Sequence, residues 1–252
     1  MTKFIGIIPA RYASTRFPGK PLAELGGKPV IEHVYRRVSQ VMDEVVVATD
    51  DERIAKVVDD FGGCAIMTSA THPSGTDRVR EAMELSGTEA DVVINIQGDE
   101  PFIDPEQIKT LMKAFDDESV DIATLARKFK PESGFEALFD PNVVKVVMDN
   151  NGRALYFSRS IIPYVRGVDW QAWVDKTVFY THVGIYAYRR AVLKEITCLC
   201  RSSLETAESL EQLRWLQNGY TINVGITDAP TIGIDTPADL EAARSYLAGR
   251  EL

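Results

Sequence analysis

The chain has 252 residues, of which 45% are hydrophobic and 26% are charged, as is ordinary for a globular α/β protein. Its net charge of −9 argues against a general nucleic-acid surface but allows a small anionic ligand held by local cations. No apolar run approaches the ~20 residues of a membrane span, and we expect no signal peptide. The three cysteines favour a reducing cytoplasm over a disulfide framework.

The first half of the chain alternates short apolar runs with amphipathic segments. Continuous apolar runs predict buried strands at residues 4–8, 44–48, 64–67 and 92–96. Apolar residues at helical spacing predict helices at residues 29–41, 52–61 and 77–85, and a fourth that begins at Asp104 and Pro105. Strict alternation of strand and helix predicts a parallel, doubly wound sheet with right-handed crossovers.

The second half has a different pattern, because several strands follow one another without helices between them. Strand-like runs lie at residues 122–125, 143–148, 154–157, 182–188 and 221–226. A helix is predicted at residues 207–217, and Thr236 and Pro237 begin a last helix. Residues 158–181 form a long segment that we interpret as a lid or an oligomer contact. We expect one α/β domain with a mixed-sheet extension.

Three polar stretches each follow a predicted strand, at residues 11–20, 75–78 and 97–101. In an open α/β sheet, the carboxyl ends of parallel strands converge on one crevice. Arg11, Lys20 and Arg78 supply positive charge there, and Asp99 supplies a carboxylate. Mg²⁺ typically takes one or two protein carboxylates together with phosphate oxygens. The pattern therefore indicates a nucleoside triphosphate site with Mg²⁺.

Each of these residues also has a plainer interpretation. Asp99 lies in Gly-Asp-Glu-Pro, which is good turn chemistry by itself, and Asp235 lies beside a helix cap. Arg159 suits a surface ion pair, and a structural histidine is the commoner explanation of His182. Residues 211–212 lie mid-helix, where solvent exposure is the default. P-loop, dinucleotide-binding and nucleophile-elbow motifs are absent from the sequence, which argues against those enzyme classes.

Seven motifs extend over nearly the whole chain. They read IPARYASTRFPGKPL (8–22), HPSGTDR (72–78), NIQGDEP (95–101), YFSRSIIPY (156–164), HVGIYAYR (182–189), SLEQLR (209–214) and IDTPADL (234–240). In these motifs the chain resembles the 3-deoxy-manno-octulosonate (KDO) cytidylyltransferases, or CMP-KDO synthetases. The first and third motifs recur more loosely among CMP-sialic acid synthetases, whereas those of the second half are specific to the KDO enzymes. Ser160 and Ile161 depart from residues common in relatives.

The resemblance implies a Rossmann-like nucleotide-diphospho-sugar transferase fold, an α/β fold with a mostly parallel central sheet and a smaller mixed-sheet second lobe. It implies a single nucleotidyltransferase domain over residues 1–252. Within it, residues 1–120 mainly bind CTP, residues 121–230 mainly bind the sugar and dimerise, and residues 231–252 return to the core. A cytoplasmic homodimer is expected, without nucleic acid or membrane insertion.

The implied reaction converts CTP and KDO to CMP-KDO and pyrophosphate with Mg²⁺, for lipopolysaccharide biosynthesis, by attack of the anomeric hydroxyl on the α-phosphate. The implied catalytic residues are Lys20, Asp99, Asp235 and Arg11, and the implied metal ligands are Asp99 and Asp235. The implied nucleotide-binding residues are Ala10, Arg11, Ser14, Lys20, Ser74, Gly75, Arg78 and Gln97. The implied sugar-binding residues are Arg159, His182, Tyr186, Glu211 and Gln212.

Two alternatives remain open at this point. One is a cytidylyltransferase for another 2-keto sugar acid, which an assay with several sugar acids would distinguish. The other is a nucleotide-binding regulatory protein that has lost catalysis, although intact Arg11, Lys20, Asp99 and Asp235 argue against it.

Overall fold

The computed structural model describes residues 2–130 and 134–249. The chain divides into two compact units. Unit 1 consists of the described parts of Met1–Lys109 and Pro230–Leu252, and unit 2 consists of the described part of Thr110–Ala229. The outermost residues of the predicted domain, 1 and 250–252, lie outside the described residues. The assignment of CTP and sugar binding to separate parts of the chain stays a prediction.

The strands are numbered in chain order. They are β1 (Phe4–Ala10), β2 (Glu24–Leu25), β3 (Lys28–Pro29), β4 (Val45–Thr49), β5 (Ala65–Met67), β6 (Val92–Asn95), β7 (Ile122–Lys128), β8 (Lys145–Met148), β9 (Ala154–Ser158), β10 (Tyr180–Arg189) and β11 (Ile222–Ile226).

The helices are numbered in the same way. They are α1 (Val30–Val38), α2 (Glu52–Asp60), α3 (Gly75–Leu85), α4 (Pro105–Ala114), α5 (Arg190–Ile196), α6 (Ser203–Glu208), α7 (Gln212–Gln217) and α8 (Pro237–Ala248). Short 3₁₀ helices lie at Lys20–Leu22, Phe135–Phe139 and Trp170–Asp175. Within residues 2–130 and 134–249, the helices are too short or too polar to cross a membrane.

Unit 1 contains the predicted parallel sheet. β1 pairs in parallel with both β4 and β6, and β4 pairs in parallel with β5, so the strand order is β6-β1-β4-β5. Every residue of β4 and of β6 is buried, as their continuous apolar sequence predicts. Because these strands are parallel, their carboxyl ends lie along one edge of the sheet, and the loops after them share that edge. The predicted α/β fold class is confirmed.

The helix starts of unit 1 follow their capping residues. Asp51 caps α2 by accepting a hydrogen bond from the Arg53 amide at 3.0 Å. Asp104 accepts from the Glu106 amide at 2.9 Å, and Gln107 accepts from the Asp104 amide at 3.1 Å. Such side-chain acceptors satisfy amides that have no partner inside the helix. These two helix starts are therefore confirmed.

A small hairpin of β2 and β3 is absent from the sequence-based prediction. It turns at Gly26 and Gly27, whose φ angles are 57° and 77°, a region that glycine enters without a steric penalty. Leu25 of this hairpin and Leu240 of α8 belong to one buried cluster with Ile234. The C-terminal helix thereby packs into the core of unit 1.

Unit 2 contains a mixed sheet. β7 pairs in parallel with β11 and antiparallel with β10, while β8 pairs antiparallel with both β10 and β9. The register of β10 against β7 shifts between Val183 and Tyr186, which marks a β-bulge. The predicted turn between β8 and β9 is confirmed, with a hydrogen bond of 3.1 Å from the Gly152 amide to the Asp149 carbonyl.

The prediction of one helix over residues 207–217 is wrong. The structure has two short helices, α6 and α7, and between them Ser209 adopts a left-handed backbone conformation with φ of 51°. The Arg159 guanidinium donates hydrogen bonds to the carbonyl oxygens of Glu208 and Ser209, at 2.6 and 3.3 Å. Because these carbonyls bond to a side chain, they do not continue a helical ladder. A further helix, α5, was not predicted.

The segment of residues 158–181 belongs to an aromatic cluster in unit 2. Trp173 is buried and donates its indole N–H to the Val168 carbonyl at 3.0 Å. Phe139, Tyr164 and Trp170 remain exposed beside it, around a groove of about 750 Å³. The interpretation of this segment as a lid or an oligomer contact stays a prediction.

Candidate functional site

A cleft of about 300 Å³ opens at the edge of unit 1 where the parallel strands end. The loops after β1 and β6, the start of α3 and Asp235 in the segment before α8 line it. It contains all the nucleotide and metal positions expected from the sequence, namely Ala10, Arg11, Ser14, Lys20, Ser74, Gly75, Arg78, Gln97, Asp99 and Asp235. Three polar loops thus converge, as the topology of a parallel sheet predicts.

Lys20 lies between the two acidic residues of the cleft. Its ammonium donates to Asp99 Oδ2 at 2.6 Å and to Asp235 Oδ1 at 3.1 Å, and its side chain is only 13% exposed. Arg16 adds a second cation, with a guanidinium nitrogen 3.0 Å from Asp235 Oδ1. In this partly buried setting, charge-assisted hydrogen bonds are stronger than neutral ones. Two of the cationic side chains of the cleft, Lys20 and Arg16, are therefore paired with its two carboxylates.

The backbone brings these distant acidic residues together. The Ile234 amide donates to the Asp99 carbonyl at 2.9 Å, which joins the turn after β6 to the segment before α8. Thr236 and Asp239 form a capping box at the start of α8. Asp239 also accepts from the Asp235 amide at 3.0 Å. Asp235 is therefore fixed both by the helix cap and by its contact with the Asp99 backbone.

The two carboxylates fit a magnesium ion that shares its coordination with phosphate oxygens. Asp99 and Asp235 both contact one ammonium group, so a cation can reach both of them. Among the described residues, no group of three or more potential metal-ligating side chains occurs. Two oxygen ligands from protein and the remainder from phosphate and water is the arrangement Mg²⁺ usually takes at nucleotide sites.

The first loop folds back on itself before it reaches Lys20. Gly19 has a φ of 73°, and its amide donates to the Tyr12 carbonyl at 2.9 Å. Ser14 accepts from the Phe17 amide at 3.3 Å, while Arg11 is exposed at the cleft. The loop thus presents a hydroxyl and an exposed cationic side chain to any ligand in the cleft.

The turn after β6 approaches β1 closely. A Cβ atom at Gly98 would lie 2.8 Å from the Pro9 carbonyl oxygen, so only glycine fits without displacing backbone. Beyond Asp99, burial raises the pKa of Glu100 to about 7, and the charge of Asp99 adds to this increase. At neutral pH the Glu100 carboxyl is therefore only partly ionised beside Asp99.

Arg78 is buried in the wall of the cleft, where it bonds to two other side chains. Its guanidinium donates to Asp50 Oδ2 at 2.8 Å and to Thr68 Oγ1 at 2.7 Å. Ser74 caps α3 by accepting from the Asp77 amide at 3.2 Å. The resemblance gave Ser74 and Arg78 a role in reading cytidine, and that role stays a prediction. Their described contacts hold the start of α3 against the end of β4.

Two residues with polar side chains that line the cleft, Arg16 and His72, were not among the expected positions. His72 Nε2 lies 2.5 Å from Glu81 Oε2, which also accepts from the Ser69 amide at 2.7 Å. These hydrogen bonds, above all that from His72, lower the pKa of Glu81. Arg16 could have been found from its place in the same cationic loop, whereas nothing in the sequence indicated the pairing of His72 with Glu81.

The five expected sugar-binding residues lie in unit 2, and Arg159 is held there by backbone groups. Its guanidinium donates to the carbonyls of Pro141, Glu208 and Ser209. The Arg159 amide and the Ser158 hydroxyl both donate to the Glu208 carboxylate, at 2.9 and 2.7 Å. Since guanidinium has five N–H groups, two of them make no hydrogen bond to residues 2–130 and 134–249 and suit a ligand. Within the same residues, the surface ion pair considered from the sequence does not form.

Lys145 binds the backbone carbonyl of Arg159 and two others nearby. It is fully buried, and its ammonium donates to the carbonyls of Asp140, Val143 and Arg159, at 3.1, 2.6 and 2.5 Å. Burial lowers the pKa of Lys145. The backbone from which Arg159 projects is therefore fixed by a buried cation.

His182 and Tyr186 are neighbours on β10. Their rings lie 5.3 Å apart, and the Phe157 ring lies 5.1 Å from that of His182. Burial lowers the pKa of His182 to about 3, so the ring is neutral at physiological pH. Burial also raises the pKa of Tyr186, with smaller contributions from Tyr188 and Glu211. Both rings can therefore act as neutral hydrogen-bonding groups.

Glu211 and Gln212 do not lie mid-helix, in contrast to the interpretation from the sequence. Glu211 occupies the position before α7, and Gln212 is its first residue and is buried. The Glu211 carboxylate accepts from Arg214 at 2.9 Å. The break at Ser209 places both residues beside the segment that Arg159 contacts. Sequence periodicity alone did not reveal this break.

Comparison with known proteins gives a consistent assignment. Residues 5–222 match the family described as cytidylyltransferase. The 3-deoxy-manno-octulosonate cytidylyltransferase of Parabacteroides distasonis is 60% identical over 251 residues, which cover 99% of this chain and 100% of that protein. The enzyme of the same name from Thermodesulfovibrio yellowstonii is 51% identical over 251 residues, with 96% of this chain and 97% of that protein covered.

Solved structures agree with these relatives. A structure of CMP:2-keto-3-deoxy-manno-octonic acid synthetase complexed with CTP matches the whole of both chains with a TM-score of 0.91 and 47% identity. The structure of 4-diphosphocytidyl-2C-methyl-D-erythritol synthase from Anaerococcus prevotii has a TM-score of 0.62 at 18% identity, covering 98% of this chain and 99% of that chain. The second similarity extends to the fold alone.

Proposed function

Because this chain belongs to the cytidylyltransferase family, and within it to the 3-deoxy-manno-octulosonate cytidylyltransferases, we propose that it transfers CMP from CTP to KDO. The products are CMP-KDO and pyrophosphate. The observation that carries the proposal is the cleft of unit 1, in which Lys20 bridges Asp99 and Asp235 beside a cationic loop. Such a cleft matches a triphosphate and its cation in charge.

The chemistry asks for positioning and charge neutralisation rather than covalent catalysis. The sugar's anomeric oxygen loses its proton to solvent and forms a bond to the α-phosphorus of CTP. The bond from this phosphorus to the bridging oxygen breaks, and pyrophosphate leaves with the electron pair. Arg11, Ser14 and Lys20 bind the triphosphate, and Lys20 stabilises charge on the departing pyrophosphate. Ser74, Arg78 and Gln97 bind the cytidine end.

Mg²⁺ is the proposed cofactor, with Asp99 and Asp235 as its protein ligands. When bound, it would neutralise phosphate charge and lower the pKa of the attacking hydroxyl. Lys20 and Arg16 contact the same carboxylates.

The sugar acid is proposed to bind through residues of unit 2. The two N–H groups that remain on Arg159 suit a planar carboxylate. His182, Tyr186, Glu211 and Gln212 supply neutral and charged hydrogen-bonding groups for sugar hydroxyls. The buried Tyr186 hydroxyl supports this assignment, because it makes no hydrogen bond within the described part of the chain. The Thr124 side chain is close enough to affect the pKa of Tyr186.

Pyrophosphate release from CTP tests the function. The assay is run with KDO, with sialic acid and without an acceptor. We expect release with KDO to exceed the other two by at least about tenfold, since a site built to bind substrate hydroxyls discriminates strongly. Faster release with sialic acid would favour a cytidylyltransferase for another 2-keto sugar acid. No release with any sugar acid would favour a nucleotide-binding protein without catalysis.

Replacing Asp99 tests the metal site. We expect Asp99→Asn to abolish Mg²⁺-dependent pyrophosphate release and to weaken Mn²⁺ binding, measured by water-proton relaxation, while the circular dichroism spectrum is retained. The exposed Asp43 lies outside the cleft, so Asp43→Asn is the matched control. Near-normal turnover of Asp99→Asn would show that the metal assignment is incorrect.

We also propose that the enzyme is a cytoplasmic homodimer that supplies lipopolysaccharide biosynthesis. The groove around Phe139, Tyr164 and Trp170 in unit 2 is aromatic and exposed. It supports the dimer proposal, because exposed apolar patches often bind another protein chain. The mass in solution, measured by light scattering, distinguishes a dimer from a monomer.

A further inference from the structure

Thr124 lies between the His182 ring and the bulge in β10. Its hydroxyl oxygen is 2.9 Å from His182 Nε2 and 2.8 Å from the Ile185 carbonyl oxygen. The Val183 carbonyl oxygen is farther, at 3.3 Å. Thr124 itself is fully buried in β7. The bulge allows one threonine hydroxyl to contact both the ring and the backbone of the neighbouring strand.

Counting hydrogens assigns the direction of each bond. A threonine hydroxyl has a single hydrogen to donate, and a carbonyl oxygen can only accept. The contact of 2.8 Å with Ile185 therefore uses the hydroxyl hydrogen. The Thr124 oxygen is left to accept from His182, so Nε2 must carry the ring hydrogen.

The opposite arrangement brings two oxygen lone pairs together. If Thr124 donated to an unprotonated Nε2, its oxygen would face the Ile185 carbonyl at 2.8 Å with no hydrogen between them. Contacts of that length between oxygens require a hydrogen bond. The geometry thus selects one of the two neutral tautomers of His182.

We propose that Thr124 is a positioning residue that fixes His182 in the Nε2–H tautomer and thereby makes Nδ1 an acceptor for a hydroxyl of the sugar acid. This inference rests on the proposed function only for the identity of the ligand. Among the described residues, Nε2 is the ring nitrogen that makes a hydrogen bond and Nδ1 makes none. An unprotonated nitrogen recognises a hydroxyl hydrogen and repels a carboxylate oxygen.

The neutrality of the ring supports this assignment. Burial lowers the pKa of His182 to about 3, so at neutral pH only one of the two ring nitrogens carries a hydrogen. A charged ring would donate from both nitrogens and would suit the substrate carboxylate instead. Arg159 and His182 therefore recognise different groups of the sugar acid.

Nitrogen NMR tests the tautomer directly. The chain contains three histidines, and loss of one signal in His182→Gln identifies the resonance of interest. In long-range ¹H–¹⁵N spectra at neutral pH, we expect His182 of the wild type to show a protonated Nε2 and an unprotonated Nδ1. Thr124→Val should convert this pattern to a mixture of tautomers, and Thr124→Ser should restore it.

Kinetics test the consequence for substrate binding. We expect Thr124→Val to raise the KM for KDO about tenfold, the equivalent of one hydrogen bond, with the KM for CTP and kcat changed less than about twofold. Thr124→Ser should return the KM for KDO to the wild-type value. Thr181→Val is the matched control, because Thr181 is buried and its hydroxyl donates to the Arg127 carbonyl.

Two results would overturn the inference. One is a protonated Nδ1 in wild-type His182, and the other is an unchanged Nε2–H pattern in Thr124→Val. If Thr124→Val does not fold, the wild-type spectrum and the Thr124→Ser variant still decide the tautomer. The spectrum needs no substrate, so failure of the enzyme to use KDO would refute the proposed function without deciding the role of Thr124.

Discussion

The neutral state of His182 gives a stability prediction that can be calculated. Burial lowers the pKa of the His182 imidazole from its ordinary value of 6.5 to about 3 in the folded protein. Between these values the unfolded chain binds a proton that the folded chain does not, so stability decreases as the pH falls. The expected loss is about 1.4 kcal/mol per pH unit below pH 6.5, or about 2 kcal/mol between pH 7 and pH 5.

The perturbation is replacement of His182 by two residues that do not titrate, Gln and Phe. The free energy of unfolding is measured in urea at several pH values between about 5 and 8, where His182 titrates in the unfolded chain. Other groups, including Glu100, contribute to wild type and variants alike and cancel in the difference. Both variants should lose about 2 kcal/mol less than the wild type between pH 7 and pH 5.

The two variants separate titration from packing. Gln and Phe differ in size and polarity, so each changes the stability at pH 7 by its own amount, but both remove the same proton-binding group. If the pH dependence of both variants equals that of the wild type, His182 is not depressed in pKa, and the reasoning from its burial is refuted.

Three other substitutions test the supporting structure. Lys145→Met removes an ammonium that satisfies three buried carbonyls, and should lower the unfolding free energy by about 3 kcal/mol; exposed Lys128→Met should change it by less than about 0.5 kcal/mol. Equal losses would contradict the role of the buried ammonium. Gly98→Ala places a Cβ 2.8 Å from a backbone oxygen, and should raise the KM for CTP about tenfold by displacing the turn. Gly233→Ala is its control, because a Cβ there meets open space and should leave the KM for CTP unchanged. Arg159→Ala should raise the KM for the sugar acid far more than that for CTP in steady-state assays; equal increases would exclude a carboxylate role.

The sequence predicted the features of unit 1 that depend on local patterns. β4 is apolar at nearly every position and is buried along its whole length, and Asp51 and Thr236 cap helices as their spacing indicated. Strand alternation then implied that the loops after parallel strands share one edge. The residues that line the cleft could therefore be predicted from the sequence alone.

The contacts inside the cleft were not accessible in the same way. Lys20 meets Asp99 and Asp235 across sequence separations of 79 and 215 residues, and no local pattern encodes such a pairing. Likewise, the break between α6 and α7 depends on carbonyls that the Arg159 guanidinium occupies. Helical periodicity continues through Ser209 because side-chain spacing does not record what the backbone carbonyls contact.

The contacts of Arg159 and Glu208 have a consequence for changing the sugar preference of this enzyme. Glu208 receives hydrogen bonds from Ser158 and Arg159, while its own carbonyl and that of Ser209 receive the guanidinium. Suppose that only the end of β9 were exchanged for that of a relative that uses another sugar acid. The Glu208 carboxylate and the carbonyls of Glu208 and Ser209 would then lose their hydrogen-bond donors. The end of β9 and the turn between α6 and α7 should therefore be exchanged together, and we expect their sequences to change together during evolution.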